Sequence, residues 1–157
     1  GVDQGAAEVA GVRVRGCNND LRINTRGGFP DGQHLVFEET AAGNQANLLH
    51  REAVFTPEKF VTDRAATPTN EVTWAGAPPP IRVLEATAGE FVHVQRLFPA
   101  VLRIVGGRVT SVALVRGTET VTYPPAPERE LVLSVGDTVR ITSTDAPRVT
   151  AIPIKAR

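Results

Sequence analysis

Three histidines, His34, His50 and His93, are the side chains best suited to proton transfer or metal ligation near neutral pH, and they lie far apart in the chain. No His-x-His or His-Glu-x-x-His spacing joins them, so none has the neighbour that a metal site on one strand or helix face needs. Cys17 is the only cysteine. It excludes an intrachain disulfide and any multi-cysteine zinc site, and its expected role is that of a small buried apolar side chain. The carboxylates Glu38 and Glu39 are adjacent; on a strand they point to opposite faces and cannot share a substrate. Ser111, Ser134 and Ser143 stand outside any Gly-x-Ser-x-Gly elbow.

Gly27-Gly28 and Gly106-Gly107 fit turns and no phosphate loop. Gly136-Asp137-Thr138-Val139 has the turn found in copper-binding sandwiches, but the cysteine, histidine and methionine set such a site requires is missing: methionine is absent from the chain. Trp74, the single tryptophan, precedes a proline run and is expected to pack in the core or at a joint. The residues therefore support no catalytic, metal or cofactor assignment, and the expectation is a protein that is not an enzyme.

Length and composition frame that reading. A chain of 157 residues, 41% apolar and 22% charged, can bury a core without disulfide or metal staples. Seventeen basic and seventeen acidic side chains cancel, which makes nucleic acid an unexpected partner. No run approaches the ~20 apolar residues of a membrane helix, so no transmembrane segment is expected. The opening residues lack the charged and apolar regions of a signal peptide. Arginine outnumbers lysine 15 to 2, which together with 12 prolines suggests a GC-rich genome and a thermophilic source.

The elements that must position any site read as β. Short β-branched runs recur every ~8–12 residues between Gly, Pro and Asp. They include 12–15, 21–25, 34–38, 80–85, 91–96, 101–105, 108–115, 130–135, 138–143 and 148–154. Gly106-Gly107 predicts a tight primed hairpin between its flanking runs. Val139, Ile141, Val112, Leu114, Val92 and Val94 are expected in one core. Residues 40–70 predict a long, partly helical loop, with helical turns over 46–54 and 56–60. The predicted fold is all-β: one two-sheet sandwich or jelly roll of about 8–10 strands spanning residues 1–157, with no internal repeat.

Phe91-Val92-His93-Val94, Val135-Gly136-Asp137-Thr138-Val139-Arg140-Ile141 and Ala151-Ile152-Pro153-Ile154 resemble the later strands of single jelly-roll coat proteins of tailless, membrane-containing icosahedral bacteriophages. The resemblance covers less than half of the chain and carries no site residue. It implies a structural subunit of a self-assembling shell, associating with itself and with other coat proteins and located in the virion after assembly in a host cytoplasm. The alternative is a carbohydrate- or protein-binding sandwich module of a larger extracellular protein. Leu97 and Phe98, at the apolar break before Pro99, are the candidate subunit contact.

Overall fold

A computed structural model describes residues 12–25, 35–50, 61–74 and 79–154. The fourteen elements in these residues are all strands, as the all-β reading predicts. The chain forms two compact units, residues 1–79 with 155–157, and Pro80–Ile154. The jelly roll occupies the second unit alone rather than the whole of 1–157.

The first unit is a parallel solenoid. Strands β1 (Val12–Val14), β3 (Leu35–Phe37) and β5 (Val61–Asp63) stack in one parallel sheet. Strands β2 (Asp20–Thr25), β4 (Gln45–His50) and β6 (Glu71–Trp74) stack in a second. Each turn of chain thus contributes one strand to each sheet and repeats after about 25 residues, the signature of a solenoid. Leu35, Val36 and Phe37 on the middle turn are all buried, together with Leu48, Val61, Val72 and Trp74. The expected helical turns over 46–54 are corrected in their first part: Ala46–His50 lies within β4, where Ala46 and Leu48 alternate inward with exposed Gln45 and Asn47. The expected turns over 56–60 lie outside the described residues.

An asparagine ladder, buried at Asn44 and Asn70 and exposed at Asn19, holds these turns in register. Asn44 Oδ1 accepts from the backbone N–H of Asn19 and from Asn19 Nδ2, at 2.9 and 2.8 Å. Asn44 Nδ2 donates to Asn70 Oδ1 and to the Gly16 carbonyl, at 2.8 and 2.9 Å. An amide carries both donor and acceptor, so it can repeat the backbone's own pattern from turn to turn. The residues just before two of these asparagines, Asn18 and Gly43, have φ of 56° and 63°; asparagine and glycine are the types that tolerate this left-handed conformation.

The second unit has eight strands: β7 (Arg82–Leu84), β8 (Gly89–Val94), β9 (Ala100–Val105), β10 (Val109–Arg116), β11 (Glu119–Tyr123), β12 (Glu128–Leu133), β13 (Thr138–Ser143) and β14 (Arg148–Pro153). They form two four-stranded sheets, in the orders β12-β9-β14-β7 and β11-β10-β13-β8, and every pairing is antiparallel. Only β10 and β11 are consecutive strands of one sheet; every other connection crosses to the opposite sheet. Counted from β7, the orders become 6-3-8-1 and 5-4-7-2, which is the jelly-roll arrangement of two interlocked Greek keys.

Leu102, Ile104, Leu131, Leu133 and Val149 of one sheet meet Val112, Leu114, Val139 and Ile141 of the other in the core. Val92 and Val94 do not join them. Phe91 and His93 pair with Ile141 and Val139 and take the inward positions, leaving Val92 48% exposed. The two-residue period allows either face, and the register with β13 selects it. Gly106 and Gly107 have φ of 67° and 65°, the positive pair a primed turn requires. The turn nevertheless joins β9 to β10 in different sheets, so it is an arch rather than the expected hairpin.

Candidate interaction surface

Asp137 explains the Gly-Asp turn as a structural device. Its carboxylate is 3% exposed. It accepts from Arg116 Nη2 and Nε at 2.6 and 2.9 Å and from the Ser134 N–H at 2.7 Å. Charge-assisted bonds of this kind lock the β12–β13 crossing to the end of β10. The Arg116 guanidinium is held in its charged form first by the hydrogen bonds to Asp137 and then by that residue's charge.

Several of the residues weighed for chemistry now have a place. Among the described residues, no group of three or more His, Cys, Asp or Glu side chains is gathered as a metal site would require. His93 lies on β8 with Nε2 3.0 Å from Gln95 Oε1, and burial pushes its pKa down. His34 lies outside the described residues, and the backbone of His50 ends β4. Glu38 bonds Arg13 at 2.8 Å and lies 3.8 Å from Arg64, an ion-pair column across the three solenoid turns. Cys17 corrects its expectation: it is exposed, on a parallel bridge to Ala42 at the solenoid corner. Trp74 is buried at 2% exposure, as its packing role requires.

The candidate contact Leu97 and Phe98 falls in the β8–β9 turn. Leu97 is half-buried with φ of 68°. Gln95 Nε2 fixes the turn by donating to the Phe98 carbonyl at 2.6 Å. Phe98 is only 6% exposed, so its ring is already covered within this chain and offers little surface to another.

A broader apolar surface lies on the outer face of the β12-β9-β14-β7 sheet. The register places Val132 beside Val101 and Val101 beside Ile152. A second row runs Glu130, Arg103, Thr150, Val83, and a third Glu128, Val105, Arg148. Val132, Ile81 and Val83 are 64%, 61% and 60% exposed. Arg103 pairs with Glu128 and Glu130 across the strands, so the charges on this face largely satisfy one another. Val132, Ile81 and Val83 remain open to water while Val101 and Ile152 are half-buried between them and the core.

Sequence reasoning missed this face because its valines lie on three different strands. Their alternation with buried Leu131, Leu133, Leu102 and Ile104 was the available signal. Comparison of the chain with protein-family models, curated proteins and solved structures returned no match.

Proposed function

We propose that this chain is a structural subunit that associates with further copies through the outer face of its jelly roll. The observation that carries the reading is the exposure of Val132, beside half-buried Val101 and Ile152, together with exposed Ile81 and Val83 at the sheet edge. A shell of the viral-coat kind is the assembly we favour, since jelly rolls recur in capsid proteins; fold alone does not establish that role.

Magnitudes restrict how such a subunit assembles. Burying Val132, Ile81 and Val83 on two copies removes six largely exposed side chains from water, worth about 1–2 kcal/mol each. The gross gain of roughly 6–12 kcal/mol matches the ~4–15 kcal/mol cost of association. One such contact is weak. Stable assembly then needs more than one interface per subunit, each adding to the same particle.

The parallel solenoid favours a second reading, a binding module carried on a rigid repeat scaffold, because solenoids commonly serve as extended supports. Sedimentation equilibrium separates the two. A structural subunit gives a mass that rises with concentration above the 16.8 kDa of one chain. A binding module stays at that mass.

A further inference from the structure

The two ends of the parallel solenoid are unlike. Its inward columns run Val12-Leu35-Val61, Leu21-Ala46-Val72 and Ile23-Leu48-Trp74. On the middle and last turns every member is buried, with Val61, Val72 and Trp74 at 4%, 1% and 2% exposure. On the first turn Val12, Leu21 and Ile23 are only partly buried. The asparagine ladder repeats the contrast. Each Oδ1 accepts from the asparagine of the turn before it. Asn70 is fully buried, while Asn19 is exposed and its Oδ1 has no donor among the described residues. A contact between unlike ends needs both ends open. With one end open, the contact that fits is between two like ends.

We propose that this open end is an interface with the same end of a second copy, separate from the jelly-roll face and independent of it. The edge strand β2 pairs antiparallel with β2 of the other copy about a two-fold axis at Leu21. That register sets Asp20 opposite Arg22 of the other copy, twice by symmetry, and Leu21 opposite Leu21. Asp20 and Arg22 share the outer face, beside Gln45 and Asn47 of β4. Both are exposed, and among the described residues neither side chain has an ion-pair partner. Directly opposed opposite charges favour this register, whereas an axis at Asp20 or at Arg22 sets that charge against its own copy. Leu21 and Ile23 then gain the cover that Ala46 and Leu48 have from the turns on either side. Because this contact is isologous it closes at two, and the β12-β9-β14-β7 face remains to link dimers.

Cysteine pairing tests the register in the full chain with Cys17→Ser. Copies bearing Asp20→Cys are mixed with copies bearing Arg22→Cys and oxidised mildly, which leaves the second charge pair intact. The proposal expects a covalent dimer enriched in the mixture over either variant alone, and none for Val121→Cys on the jelly roll. Asp20→Arg weakens dimerisation roughly tenfold, since two like-charge pairs replace two opposite ones, and adding Arg22→Asp restores it. Trp74 fluorescence checks that the solenoid of each variant is folded. Equal cross-linking in mixed and single samples, or a double reversal that fails to restore association, overturns the proposal. Enrichment that appears only after residues 1–11 are deleted also overturns it, because the start of the same chain then occupies the end. Repeating the cross-link with Val132→Asp keeps the two interfaces distinct: end-to-end dimers persist if only the face reading is wrong. If the end proposal alone fails, Val132→Asp still lowers the mass while cysteine mixing gives no enrichment.

Discussion

Replacing Asn44 with alanine removes the central amide of the solenoid ladder. The side chain is fully buried and takes part in four hydrogen bonds, with Asn19 N, Asn19 Nδ2, Gly16 O and Asn70 Oδ1. At ~0.5–1.5 kcal/mol each, their loss costs about 2–6 kcal/mol, and the partners left without a bond push the figure toward the upper end. That is a large share of the ~5–15 kcal/mol that holds a domain together. Trp74 is the only tryptophan, buried on β6 of the same unit, so its fluorescence follows solenoid unfolding. With a urea slope of ~1–3 kcal/mol per molar, the midpoint falls by roughly 1–3 M. Asn47→Ala, an exposed position on the same strand, changes stability by less than about 0.5 kcal/mol. If Asn44→Ala shifts the midpoint no more than this control, the ladder does not hold the turns together and the solenoid account fails.

Ile141, with no exposed surface in the jelly-roll core, costs about 2–5 kcal/mol when truncated to alanine; a loss under half a kcal/mol in a denaturant melt places it on the wrong face. Gly107→Ala is destabilising by more than about 1 kcal/mol, because φ is positive and a Cβ would lie 2.6 Å from the Asp145 carbonyl and 2.7 Å from Pro147 N; an unchanged melting temperature contradicts the arch geometry. Burial pushes His93 below its ordinary value, outweighing the upward pull of the hydrogen bond to Gln95, and Arg82 adds a smaller downward push. The unfolded chain therefore binds this proton more readily, so His93's contribution is complete above the ordinary histidine pKa of about 6.5 and declines as pH falls below it. His93→Gln flattens that acid-side decline in melts across pH, and a curve parallel to the parent's refutes the assignment.

The jelly roll was largely legible because seven of its eight strands carry their own signal; only β11, Glu119–Tyr123, falls outside the expected runs. Val139 and Ile141 alternate with Thr138, Arg140 and Thr142, and the structure buries the first pair and leaves the others outward. What local pattern could not supply was pairing: it left Val92 and Val94 free to face either way and made an arch look like a hairpin. The solenoid was hidden for a different reason. Its signal is the recurrence of Asn19, Asn44 and Asn70 before Asp20-Leu21, Gln45-Ala46 and Glu71-Val72, and the strand before each asparagine begins at Val12, Leu35 or Val61. The unequal stretches between these points blur the period. Small inward residues such as Ala46 also imitate a helix when read alone, although the parallel ladder decides the strand. The proposed contact face is a product of register, and register is not written in any single strand.

Solution mass tests the central claim most directly. Sedimentation equilibrium of the parent chain and of Val132→Asp is measured over the same concentration range, with circular dichroism and Trp74 fluorescence as checks that both are folded. The account predicts a parent mass rising above 16.8 kDa with concentration, and a lower mass for Val132→Asp at every concentration, because a carboxylate on the contact face loses its water on association. A parent that stays at 16.8 kDa throughout, or a folded Val132→Asp that assembles like the parent, contradicts it.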